Sequence, residues 1–158
     1  MPDISQPSVD IASAVDLSVE GTANCYVVSE AGVYSFPAVK GNSMESVGAA
    51  DYTSVVWESF GTEQPISSGD LIEASRYENG KVYFKTAGNF KEGNALIAVK
   101  DENGKILWSW HIWMTDQPQE HVYKNNAGTM MDRNLGATSS TPGDAGAHGL
   151  MYQWGRKD

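Results

Sequence analysis

Apolar and polar residues alternate along most of this chain in short runs, and turn-forming residues separate the runs. Residues 22–29, 33–36, 54–60, 70–77, 82–86, 95–100 and 106–114 read as short strand-like runs. Gly32, Pro37, Gly41, Gly61 and Asn42 punctuate them. No segment sustains a helical apolar period. Two Glu-Asn-Gly-Lys tetrads, at 78–81 and 102–105, sit between alternating runs and predict hairpins, because Asn-Gly adopts the positive φ values that tight hairpin turns need. The run 106–114 is the most telling. Ile106, Trp108, Trp110, Ile112 and Met114 share one face, and Leu107, Ser109, His111 and Trp113 share the other. Both faces are rather apolar, which predicts a central strand covered on one side and partly covered on the other.

Composition sharpens this picture. Leu, Ile, Val and Phe make up 30 of 158 residues, and the formal charge is −9, values near the border of disordered chains. The shortfall is local. Residues 119–158 hold only Val122, Leu135 and Leu150 from that set. Their Glu120, Asp132, Asp144 and Asp158 balance Lys124, Arg133, Arg156 and Lys157, so the whole negative charge belongs to residues 1–118. Val and Ile outnumber Leu by 20 to 6, and there are 16 aromatic residues, a strand-forming balance. The division predicts a polar, mobile N-terminal arm over 1–20 with an edge strand near 9–15, a β domain over 21–118, and a short loop-rich segment over 119–158 beyond the linker Gln117-Pro118-Gln119-Glu120. The expected fold is all-β: an immunoglobulin-like antiparallel β-sandwich followed by a partial second domain.

The acidic balance argues against nucleic acid and against anionic membrane surfaces as partners. No apolar run is long enough to span a membrane. Cys25 is the one cysteine, so the chain has no intramolecular disulfide. The first residues lack the basic and apolar regions of a signal peptide. The chain is therefore expected to be either cytoplasmic or the mature part of a secreted protein.

Candidate chemistry is sparse. Cys25 lies in a strand with no histidine near it in sequence and reads as a small buried hydrophobe. His111, His121 and His148 match no zinc spacing. Asp101-x-Asn103-Gly104 lacks the further ligands of a calcium loop and reads as a turn. The glycine-rich stretch 143–149 has no phosphate-binding ending and reads as a flexible loop. Nothing singles out a carboxylate pair or a Ser-His-Asp set. The expectation is a protein without catalytic residues, metal or cofactor. Trp57, Tyr83 and Trp113 alternate away from the core, and with His111 they are the candidates for stacking on sugar rings.

The stretch Thr129-Met-Met-Asp132-Arg133-Asn134-Leu135-Gly-Ala-Thr138, followed by His148-Gly149-Leu-Met-Tyr152-Gln-Trp154, resembles the opening half of the Fibrobacter major paralogous domain of gut Bacteroidetes surface proteins. That family is related in fold to C-type lectins and to sulfatase-modifying enzymes. Its Arg/Glu-Asn-Leu core is matched by Arg133-Asn134-Leu135, preceded by Asp132, and its Gly-x-x-Tyr-x-Trp core by Gly149, Tyr152 and Trp154. Residues 22–116, through Thr22-Ala-Asn-Cys-Tyr-Val-Val-Ser, Phe36-Pro-Ala-Val-Lys-Gly-Asn-Ser and Trp110-His-Ile-Trp-Met-Thr-Asp, are similar to the β-sandwich that precedes this domain in fimbrillin-like and adhesion proteins. The resemblance implies a secreted or outer-membrane-surface protein for adhesion, with glycans or host surface proteins as partners. Self-association through the C-terminal segment is a further expectation. The alternatives are a fimbrial or spacer subunit, and a fragment of a larger enzyme-like protein of C-type-lectin fold.

Overall fold

The computed structural model describes residues 8–154 and is built from ten strands. They are β1 (Val15–Asp16), β2 (Cys25–Val28), β3 (Val33–Pro37), β4 (Tyr52–Ser59), β5 (Ile72–Glu78), β6 (Lys81–Thr86), β7 (Gly93–Lys100), β8 (Ile106–Met114), β9 (Glu120–Val122) and β10 (Thr129–Met131). Helical geometry among the described residues is limited to three short 3₁₀ turns. One four-stranded sheet runs β1-β3-β6-β5 and the other β2-β8-β7-β4, while β9 and β10 form a separate hairpin. The two large sheets face each other as the layers of a β-sandwich.

Alternation builds the space between the layers. Val82, Phe84 and Thr86 of β6 are buried, whereas Lys81, Tyr83 and Lys85 between them are half-exposed. Phe36 lies at the centre of the core. Its ring stacks on Tyr26 at 4.8 Å, tilts against Trp110 at 5.1 Å and meets Phe84 at 6.3 Å, so side chains of both sheets converge on it. Strand β8 lies between β2 and β7, as its two apolar faces predict.

The sheets are mixed rather than purely antiparallel. β1 runs parallel to β3, and β2 runs parallel to β8. The N-terminal part of the chain supplies an edge strand to each sheet, and each edge strand lies beside a partner to which no tight turn connects it. Parallel pairing is open to such strands because a hairpin does not dictate their direction. The arm before β2 is anchored at a few points, while most of its described residues are exposed. Val9 is buried, and Asp16 accepts from the amide and hydroxyl of Ser18 and from Lys81 Nζ at 2.9 Å. Residues 1–7 of the expected arm lie outside the described residues.

The repeated tetrad makes two different turns. Glu78 pairs with Lys81, and Asn79 and Gly80 take φ of 50° and 78°, which is a two-residue hairpin. At the second tetrad the register shifts after Val99, and only Gly104 has positive φ. There the carboxylate of Asp101 accepts from the amides of Asn103 and Lys105, so the aspartate shapes a longer loop.

Glu58 ties the sheets together at one end. Its carboxylate, on β4 of one sheet, accepts from the amides of Gly69, Leu71 and Ile72 at the start of β5 in the other, at 2.8, 2.9 and 2.8 Å. Leu71 and Ile72 are buried, so their amides have no ready access to water once the carboxylate is gone. Glu58→Ala is expected to lower unfolding stability by about 2–3 kcal/mol in urea titration. A change within about 0.5 kcal/mol, the range of an ordinary surface substitution, contradicts this role.

Candidate functional site

The outer face of the β2-β8-β7-β4 sheet is not a solvent face. Cys25 of β2 lies opposite His111 of β8, His111 opposite Leu96 of β7, and Leu96 opposite Trp57 of β4. These four residues form one row across the sheet, turned away from the aromatic core. The next row in the same sense holds Val27, Trp113, Asn94 and Ser59. Residues 134–152 lie over these rows. The Trp113 indole donates to the carbonyl of Ala137 at 2.9 Å, and the Asn94 amide nitrogen donates to the carbonyl of Gly136 at 2.9 Å. Trp113 is 1% exposed, His111 3% and Asn94 fully buried.

Three chemically apt side chains meet there. Cys25 Sγ is 3.2 Å from His111 Nδ1, and His111 Nε2 is 2.8 Å from Asn94 Oδ1. The Gly136 carbonyl can only accept, so the Asn94 amide nitrogen must face it and Asn94 Oδ1 must face the imidazole. The imidazole Nε2 therefore carries a proton toward Asn94, and Nδ1 faces the thiol. The Tyr152 hydroxyl approaches the same Nδ1 at 3.4 Å. A thiol, a base and an amide that orients the base are the parts of a cysteine nucleophile. The histidine absent from the sequence neighbourhood of Cys25 arrives through a parallel strand pairing. Cys25 is partly exposed.

Local geometry holds the cover in place. Gly136 has φ of 80°, and a Cβ there would lie 2.6 Å from Leu150 and 3.1 Å from Asn94 Oδ1, so only glycine lets its carbonyl reach the amide. The two motif cores come together. Leu150 donates its amide to the Leu135 carbonyl at 3.0 Å, and Asn134 Nδ2 donates to the carbonyls of Ala147 and His148. Within residues 143–149, Ala145–Ala147 form a short 3₁₀ turn, because Asp144 accepts from Gly146 and the Gly146 carbonyl accepts from Thr138. The Arg133 side chain, 3% exposed, grips Asp132 through two hydrogen bonds, at 2.7 and 2.9 Å, and also binds Asp116 and Thr115 at the end of β8. Trp154 is fully exposed.

The sugar-stacking candidates do not form one platform. His111 and Trp113 are buried, Trp57 is half-buried on their sheet, and Tyr83 lies on the outer face of the opposite sheet. Asn94 carries no signal of its own in the sequence, and Cys25 reads there without its histidine. Alternation with buried Tyr26 and Val28 does place Cys25 on an outer face, but only the pairing of β2 with β8 reveals its neighbour. Among the described residues, no cluster of three or more His, Cys, Asp and Glu side chains could hold a metal ion, and no helix is long and apolar enough to cross a membrane. Comparison of the chain with protein-family models, with curated proteins and with solved structures gave no match. Fold and site together define a mixed two-sheet β protein whose second sheet is covered on its outer side by its own C-terminal segment.

The clamp of that segment responds to acid. Hydrogen bonds from Arg133 hold the carboxyls of Asp116 and Asp132 below the usual aspartate range. Groups whose folded pKa is depressed stabilise the fold above the ordinary aspartate value and lose that contribution as pH falls through the depressed one. Lowering the pH below about 4 is expected to loosen residues 134–152, seen as rising amide exchange there, and Arg133→Gln is expected to flatten this acid dependence. An identical acid profile in the variant contradicts the clamp.

Proposed function

We propose that the chain is a secreted or outer-membrane-surface adhesion module. In this reading an immunoglobulin-like sandwich is followed by a segment like the start of a Fibrobacter major paralogous domain, and the module works through contact with macromolecules, above all proteins. The observation that carries this reading is the placement of exposed apolar side chains. Val122, Tyr123, Met130 and Met131 stand out from the β9–β10 hairpin, and Met151 and Trp154 are almost completely exposed. Large exposed apolar side chains favour contact with a partner, and methionine and tryptophan adapt well to protein partners. The resemblance of residues 129–154 to a domain of surface proteins supports the same reading.

A flat glycan-binding face draws less support, because His111 and Trp113 are covered and Tyr83 is on the far sheet. The two partner classes separate in a cell-binding assay. The fluorescently labelled chain is expected to bind epithelial cells, to lose that binding after mild protease treatment of the cells, and to keep it after glycosidase treatment. Met130→Ser combined with Met131→Ser is expected to weaken binding at least about tenfold. Loss of binding on glycosidase treatment alone moves the partner to glycans. Absence of binding to any cell surface overturns the adhesion reading.

A further inference from the structure

We propose that Cys25, His111 and Asn94 form an activated thiol that accepts an acyl group from activated esters or thioesters, with Tyr152 competing for its base. This goes beyond contact binding, since it places a covalent step on the outer face of the sheet. Three neighbouring strands, β2, β8 and β7, each contribute one member, and the distances of 3.2 and 2.8 Å are those of a nucleophile bound to its base and a base bound to its positioning residue.

Burial is distributed as such chemistry needs. Asn94 and His111 are taken out of water, which fixes the ring, whereas Cys25 is only partly buried. Burying a polar amide and an imidazole costs free energy that Val or Leu at the same positions would avoid, and the hydrogen bonds that offset it also orient the ring with Nδ1 toward the thiol. The hydroxyl of Tyr152, at 3.4 Å, addresses the same lone pair.

The step balances without an outside oxidant. The Cys25 thiol proton passes to His111 Nδ1, and the sulfur attacks the carbonyl carbon of the ester. The bond from that carbon to its leaving group breaks as the S–C bond is kept. The imidazolium returns the proton to the leaving group. The products are a thioester on Cys25 and the free alcohol or thiol. Asn94 touches no reacting atom and acts by positioning the ring.

The test uses p-nitrophenyl acetate as the probe on the full chain. The expected result is release of one equivalent of nitrophenolate, with a single acetyl group mapped to Cys25 by mass spectrometry of peptides. Its rate should stay high at pH values below the ordinary thiol pKa of about 8.5, because the imidazole takes the proton. His111→Gln is expected to slow acetylation about 10²-fold and Tyr152→Phe to speed it about twofold or more, as relief of the competition. The proposal is overturned if the native chain leaves Cys25 unmodified while the denatured chain reacts. It is equally overturned if the wild-type rate simply follows ionisation of an ordinary thiol, a readout that stands even where His111→Gln fails to fold.

Discussion

The indole of Trp113 and the imidazole of His111 point away from the aromatic core, yet both are almost completely withdrawn from water. Strand β8 thus needs two covers. The opposite sheet supplies one, through Phe36 against Trp110. Residues 134–152 supply the other, and their backbone carbonyls at Gly136 and Ala137 satisfy the buried Asn94 amide and Trp113 indole. A buried donor without an acceptor is expensive, so those two carbonyls cannot be moved without consequence for the sheet beneath them. The position of the C-terminal segment, the orientation of the imidazole and the surroundings of Cys25 all follow from this requirement.

The segment has little apolar area of its own with which to hold its place. Its attachment is accordingly polar and geometric. Arg133 joins it to the end of β8 through Asp116 and Thr115, and glycine at 136 and 149 allows the close approaches that bring Asn134, Leu135 and Leu150 together. The same polar attachment leaves apolar side chains such as Met130, Met131 and Trp154 uncovered, which is where contact with another molecule has the most to gain. One part of the chain thereby both packs beside the candidate thiol site and presents the exposed surface.

Much of the layered fold was legible in the sequence. The alternation in 106–114 marked a central strand, and Asn79-Gly80 marked a hairpin, because side-chain period and turn chemistry are local properties. The mixed character of the sheets was not legible. Nothing near Cys25 announces that β2 will lie parallel to β8, since that pairing is decided by how edge strands fill two separate sheets. The same gap hid the candidate site: Cys25 and His111 are 86 positions apart, and Asn94 reads in sequence as one more polar residue of a strand. Residues 119–154, poor in apolar side chains, offered no periodic signal of where they would pack, because the contacts that hold them are single hydrogen bonds, an arginine clamp and glycine-sized gaps.

Hydrogen exchange at the tryptophan indoles, followed by two-dimensional NMR of the unmodified chain, tests most directly whether residues 134–152 cover the second sheet. Trp113, bonded to the Ala137 carbonyl and 1% exposed, is predicted to keep its indole proton long after the fully exposed Trp154 has lost its own. Exchange at Trp113 as fast as at Trp154 would mean that the outer face of β8 lies open, and would contradict the account.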